Sequence, residues 1–423
     1  MVSRRDRAVA LGALAALVAL LAAVVAWTTP WRALPADAPG VTPDPARDFS
    51  AAELARSAAF DAAISPPAYI SLGLSLVLAL VLVLTPVGAR VLARLRGPRP
   101  VRVVTGTFLV AAVSEVLTIP LGVWSEIEQR AFGLSTQTWW SWSIDRFKNF
   151  VVGTLLTALL VLAVVALARR FPRRWWLPAA LGGFAFTLAV SFVYPVVVEP
   201  VFNEFRPMPA SALRDDLLKL ARTDGVPVTD VLVADASRRT TALNAYVSGF
   251  GATRRIVVYD TLLKSASPAE IRLIAAHELG HAKRGDVLYG TLVGGLGVAC
   301  GACLLYLLTT SPRLRRRTAL RAGAGDPRAA ALLVGLITLG TTLGGPAQNL
   351  VSRAIEARAD AHALGLTRDP RTFVAMQRRL ATSNLSDLSP NMIEYAVYSS
   401  HPTAAQRIAA ARSWARLHKL PEP

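Results

Sequence analysis

The pentapeptide HELGH at 277–281 holds two of the chain's five histidines. Two histidines four residues apart on a helix share one face, so both imidazoles can reach a single ion. Glu278 projects beside them, placed to take a proton from water activated there. Zn2+ suits such a set, because it accepts imidazole nitrogen and a catalytic site leaves one position open. It brings the pKa of water near neutrality and polarises a carbonyl. The chemistry expected is hydrolysis of a peptide bond, with one zinc ion per chain and Glu278 as general base.

Two histidines leave this set one protein ligand short. SRAIEARADAHAL (352–364) is helical in pattern, with Gly365 able to end it, and puts Glu356 and Asp360 one turn apart. A carboxylate from Glu356 would complete a His2Glu site. Asp360 can accept a hydrogen bond from a liganding imidazole and fix its tautomer. An acidic i,i+4 pair also suits a plain solvated helix face. His362, turned about 60° from Glu356 by the 3.6-residue period, is the rival ligand and reads as a bystander. His401, in SSHPTAAQRI, stands just before Pro402, which can open a helix ending near Arg416. A histidine there can donate to a tetrahedral oxyanion.

The helix that must position HELGH is well marked. Ser267 suits the N-cap, Pro268 the first turn and Glu270 a capping box, while Gly285 can close the C-terminus. The expected helix runs from Pro268 to Arg284. Ahead of it, VTDVLVADAS, ALNAYVSGFG and RRIVVYD read as short strands, the last two forming a hairpin across a Gly-containing turn.

The rest of the chain is apolar. Of 423 residues, 53% are hydrophobic and 17% charged, against about 25% charged in a soluble domain. Seven stretches approach the roughly 20 apolar residues that cross a bilayer: Ala8–Trp27, Tyr69–Val87, Val103–Trp124, Val151–Leu167, Leu177–Val198, Val287–Leu308 and Ala329–Gly345. The first reads as an uncleaved anchor, since no small-x-small site precedes Thr28 and the run is long for a signal peptide. The segment TTPWRALPADAPGVTPDPARDF reads as irregular. The stretch SEIEQRAFGLSTQTWWSWSIDRFKNF reads as a connection whose tryptophans suit a membrane interface. Cys300 and Cys303 fall mid-span and read as inert.

The net charge of +18 raises the question of nucleic acid, but its distribution answers it. The arginines cluster before the first span and in the loops after the second, fourth and sixth. That is the positive-inside pattern, and it predicts contact with membrane lipids and no nucleic-acid partner. The organisation expected is membrane helices over 1–200 and 286–346. A zinc metalloprotease domain would be split between 201–285 and 347–423.

HELGH, SRAIEARAD and SSHPTAAQRI, in that order among seven spans, together resemble the CAAX prenyl protease 1 family of integral-membrane zinc metalloproteases. EIEQRAFGLSTQTWWSW, YPVVVEPVFNEFRPMP and NAYVSGFGATRRIVVYDTLL strengthen the likeness. The resemblance implies a mostly α-helical membrane protein, with about seven transmembrane helices enclosing a chamber and a small α/β zinc metalloprotease domain. It implies zinc ligands His277, His281 and Glu356, a catalytic base Glu278, a supporting Asp360, and His401 near the scissile carbonyl. It further implies substrate-binding roles for Asn244, Arg353 and Arg407. The substrates implied are prenylated CAAX proteins. The Arg- and Ala-rich composition points instead to a bacterial cell membrane of a high-GC organism. There the expected substrates are other membrane-bound peptides or proteins, lipid-modified ones included. Charged residues around HELGH argue against an intramembrane-cleaving protease, and spans with almost no charge argue against a transporter or receptor with a structural metal. On the side of the membrane two expectations conflict. The Arg-rich loops place the zinc site outside, the resemblance places it in the cytosol, and one miscounted span would reconcile them.

Overall fold

The computed structural model describes residues 2–249, 251, 254–320 and 322–423. Seven helices are long and apolar enough to cross a membrane: Arg4–Thr28, Ala51–Leu84, Arg99–Ala131, Trp139–Arg170, Trp176–Phe202, Asp286–Thr309 and Ala329–Thr367. Among the described residues they match the seven apolar stretches one for one. Most run well past the apolar residues that announced them. The second starts at Ala51 because Ser50 and Glu53 form a capping box. Thr138 caps the fourth by accepting from the Ser141 N–H. The connection expected over 125–150 therefore shrinks to 132–138, and most of its tryptophan segment is helical. The fifth is Trp176–Val193 followed by a wide turn, Tyr194–Val198, and a last turn, Glu199–Phe202. Pro195 and Pro200, which lack the N–H of a regular ladder, account for the break.

The largest departure lies in the seventh helix. The stretch ending at Gly345 was expected to be separate from the helix bearing Glu356. The structure has one helix from Ala329 to Thr367 with Pro346 inside it, and Arg368, not Gly365, takes the left-handed closing position. Packing holds both halves in line. A Cβ on Gly335 would come within 3.0 Å of the Ala79 carbonyl oxygen, so a glycine there lets the second and seventh spans touch backbone to backbone.

The spans are not free of charge. Glu115 of the third and Arg146 of the fourth pair at 2.6 Å. Glu115 lines two adjoining hollows and Arg146 one of them; the first, of about 370 Å3, is lined by Glu115, Ser75, Thr107, Asn149 and Thr338 among others. The second, of about 450 Å3, shares Glu115 and Asn149 and continues toward Gln137 and Trp142. A charged pair facing an internal cavity is tolerated where one facing lipid is not.

At one end of the bundle sits a four-stranded sheet. Its strands are β1 Phe205–Pro207, β2 Asp230–Ala234, β3 Ala245–Ser248 and β4 Arg255–Tyr259, in the order β1-β2-β4-β3. β2 and β4 are parallel; β3 pairs antiparallel with β4, Ala245 opposite Val258 and Ser248 opposite Arg255. The expected hairpin is present, but residues 250, 252 and 253 of its turn lie outside the described residues, as does Arg321 in the last basic loop. β1 carried no sequence signal; three residues are too few to show alternation.

One core joins sheet and helices. Val231, Ile256 and Val258 pack with Leu273 and Leu279 of the HELGH helix, with Ala363 and Leu364 of the seventh, and with Phe373, Ile408 and Trp414 further on. Phe49 reaches the same core from the Pro-rich segment. That segment is irregular as expected, yet it is pinned: Asp48, almost fully buried, pairs with Arg412 of helix Ala404–Leu417, one oxygen accepting at 3.0 Å.

Candidate active site

The HELGH helix spans Pro268–Arg284. Ser267 and Glu270 form the capping box, and Gly285 closes the helix at φ 69°. It packs on the sheet and on the tail of the seventh helix, and it is not itself one of the membrane spans. This is where a site at the membrane boundary, not one buried in lipid, would lie.

Three side chains converge beside it, Glu356 through both of its oxygens. His277 Nε2 lies 3.1 Å from Glu356 Oε2 and 3.2 Å from His281 Nε2, and His281 Nε2 is 3.5 Å from Glu356 Oε1. Ligands about 2.0–2.1 Å from a tetrahedral zinc stand roughly 3.3–3.4 Å from one another, so these separations fit the edges of such a site. The reverse sides of the rings sharpen the point. His277 Nδ1 is 2.9 Å from Asp360 Oδ1, and His281 Nδ1 is 2.9 Å from Asp286 Oδ2. A carboxylate at Nδ1 sets the tautomer that keeps its proton there and leaves Nε2 a bare lone pair. Two lone pairs and a carboxylate facing one another at this distance repel unless a cation, or extra protons, sit between them. Without a metal the protons are held tightly. Burial opposes charge on His281, but Asp286 and Glu356 outweigh it and raise its pKa to about 10. His277 is raised as well, Asp360 and Glu356 overcoming its burial. The donor set fits a divalent metal.

Glu278 offers its carboxylate to the same space, with ligand atoms of His277, Glu278 and His281 all within 4.8 Å. Burial lifts its pKa above the ordinary glutamate value, with the two imidazoles and a bond from the Val247 N–H of β3 pulling the other way. The edge strand β3 thus borders the site.

Comparison with known proteins agrees with this geometry. The sequence model of Peptidase family M48 matches residues 207–415. That of the CAAX prenyl protease N-terminal region, five membrane helices, matches 41–204. The Bacillus subtilis protein named uncharacterized metalloprotease YhfN is 30% identical over 384 residues, 90% of each chain. A CAAX prenyl protease 1 homolog of Arabidopsis thaliana is 32% identical, covering 70% of each chain. The chain belongs to peptidase family M48. Its fold is that of the crystal structure of S. mikatae Ste24p, with a TM-score of 0.76 at 21% identity over 94% of this chain and 97% of that one. It is thus a multi-span membrane metalloendopeptidase of the CAAX prenyl protease type.

Within this M48 chain the other singled-out residues fall as follows. Asp360 is 3% exposed and is held by Arg407, whose Nε donates to Oδ2 at 2.8 Å. Arg407 also comes within 3.5 Å of His277 Nδ1. Its guanidinium is therefore engaged behind the His277 ring. Arg353 donates to the carbonyls of Tyr395 and Ser399 at 3.0 and 2.6 Å and lies over the Tyr395 ring; it too serves an internal segment, the one leading to His401. His401 is exposed at the mouth, its Nε2 3.4 Å from Glu356 Oε2. It precedes the helix expected to open at Pro402, because Thr403 forms the N-cap of Ala404–Leu417. Asn244 is exposed at the head of β3. His362 turns away to Asp224, bonding at 2.9 Å, and packs on Gly280, where a Cβ would come within 3.0 Å of its ring.

Two site residues escaped the sequence reading. Asp286 was counted only as a charge near HELGH, and Arg358 not at all. Asp286 backs His281 as Asp360 backs His277, and Arg358 pairs with Asp286 as Arg407 pairs with Asp360. The usable signal was an acid directly after the helix-closing Gly285, within reach of a histidine one turn back.

Proposed function

We propose that this M48 metalloendopeptidase is zinc-dependent, with one ion held by His277 Nε2, His281 Nε2 and Glu356, and that it cleaves peptides or proteins presented at the membrane. The observation that carries the reading is the set of mutual distances, 3.1, 3.2 and 3.5 Å, among the His277, His281 and Glu356 side chains. Bound there, Zn2+ supplies Lewis acidity to water and to the scissile carbonyl. Glu278 accepts the proton of the attacking water and hands it to the leaving amine; its burial, which raises its pKa, favours holding that proton between the two steps. His401 Nε2 donates to the oxyanion as it develops. The outer edge of β3, led by Asn244, takes an extended peptide as an added strand. Asp360 and Arg407 orient His277, Asp286 and Arg358 orient His281, and Arg353 holds the segment that presents His401. The catalytic unit is drawn from 201–285 and 347–423 and the membrane unit from 1–200 and 286–346, the last boundary falling inside one helix. The CAAX prenyl protease names of relatives support membrane-tethered substrates, lipid-modified ones included.

Purified full-length protein should hold about one zinc per chain by elemental analysis. Glu356→Ala should lower that content, and unchanged occupancy would remove Glu356 from the ligand set. Glu278→Gln should keep the metal and lose about 10²–10⁴ of peptidase activity. Peptidomics on membranes carrying the parent or this variant would name the substrates, and identical profiles would sink the proposal.

A further inference from the structure

The structure brings the scattered arginines to one place. The four basic segments all lie at the end of the bundle away from the catalytic unit. Arg7 donates to Thr310 Oγ1 at 3.1 Å, joining the first segment to the last. The Tyr306 hydroxyl donates to the Arg173 carbonyl at 2.6 Å, and Gly325 lies against Arg169. Gly88 abuts Ala331. The opposite connections are tied to the catalytic unit instead. Asp48 pairs with Arg412, Ser57 Oγ donates to the Ser386 carbonyl at 2.9 Å, and the Thr136 N–H donates to the Arg239 carbonyl at 3.1 Å.

The imbalance between these ends is large. The basic end has 17 arginines among the described residues and two acids, Asp6 and Asp326. The two stretches of connection and flanking helix at the catalytic end, 28–68 and 125–150, have six basic and eight acidic residues. Nearly the whole net charge of +18 therefore sits at one end. Orientation follows the Lys/Arg bias of short loops flanking the spans, while long domains cross largely regardless of charge. All four basic segments are short, and the long catalytic segments have little say. The anionic inner leaflet attracts the same arginines. The seven helices found among the described residues are an odd number, which puts the first basic segment and the C-terminal helices on opposite sides.

We infer that the arginine-rich end docks on the anionic lipid of the cytoplasmic leaflet and that the active site opens on the extracytoplasmic face. Resting on the proposed peptidase reading, this restricts its substrates to peptides and membrane-anchored proteins exposed on that face.

Ala36, in the Pro-rich segment, and Ala93, in the second basic segment, are both exposed and report opposite sides. Ala36→Cys and Ala93→Cys, each in the full chain, are treated with a membrane-impermeant maleimide in intact cells and again after the membrane is opened. The parent is the blank, because Cys300 and Cys303 lie within the sixth span. Expected is labelling of Ala36→Cys in intact cells and of Ala93→Cys only after opening. The reverse pattern, or equal labelling of both in intact cells, overturns the inference. Alkaline phosphatase fused after Pro423 should be active and a green fluorescent protein fused there dark; the opposite pair of results also overturns it. Repeating the labelling in Glu278→Gln separates this claim from catalysis. Loss of the peptidase reading leaves the labelling pattern unchanged, and a reversed pattern leaves the activity assay standing.

Discussion

His277 and His281 are held by the same device at two depths. Behind His277 stand Asp360 and Arg407, with side chains 4% and 13% exposed. Behind His281 stand Asp286 and Arg358, at 11% and 21%. The first pair comes from the seventh helix and the C-terminal helix; the second comes from the start of the sixth span and again from the seventh helix. Glu356, Arg358 and Asp360 thus let one helix supply a donor and brace both imidazoles. The difference lies in what water can repair. A group deep in the core has no substitute partner when its own is removed, whereas a slightly more exposed one can borrow solvent.

The deeper support should matter more. Asp360→Asn should weaken zinc binding toward the upper end of the 10–100-fold range for such supporting carboxylates, read by competition with a chelator. It also leaves Arg407 buried without its partner, at a stability loss of about 3–5 kcal/mol. Asp286→Asn should fall nearer about tenfold in affinity, with a smaller stability change. If Asp286→Asn lost the metal more readily than Asp360→Asn, the ranking by depth would be wrong.

Acidity sharpens the comparison. The His281 pKa is raised to about 10, so in the metal-free protein its proton stabilises the fold below the ordinary histidine range, and that contribution is lost as pH rises through about 10. Zinc must displace this proton. Apparent affinity should therefore climb about tenfold per pH unit per proton released until about pH 10. In Asp286→Asn the climb should level off at lower pH, because the main raising partner is gone. An unchanged plateau would mean Asp286 does not hold that imidazole.

The smallest effect tests how closely the two helices meet. Gly280→Ala forces a methyl against the His362 ring and should cost about 1–3 kcal/mol by overpacking, measured by thermal unfolding. Zinc content at saturation should stay near that of the parent. A neutral substitution would show that His362 and the seventh helix move aside freely.

Much of this was written locally in the chain. The HELGH helix obeyed its own punctuation at both ends, since Ser267, Glu270 and Gly285 act on backbone groups within a turn of themselves. The seven apolar stretches likewise announced seven spans, because burial in lipid depends on composition more than on partners. Glu356 and Asp360 were readable as a pair one turn apart, but nothing local said which face met HELGH.

Other features belonged only to the folded chain. Pro346 is a helix breaker by every local rule, yet the helix passes through it, held by packing on both sides. Asp286 is one turn from His281 in space but lies beyond a helix stop, so no periodicity links them. Arg358 and Arg407 are ordinary surface arginines in sequence and become partners only when distant helices close on them. The sequence by itself determined the elements, the metal-seeking residues and the charge at each loop, because these rest on short-range geometry and composition. Tertiary structure alone decided which carboxylate faces which imidazole, and that the four basic loops share one end. Both depend on contacts between segments tens to hundreds of residues apart.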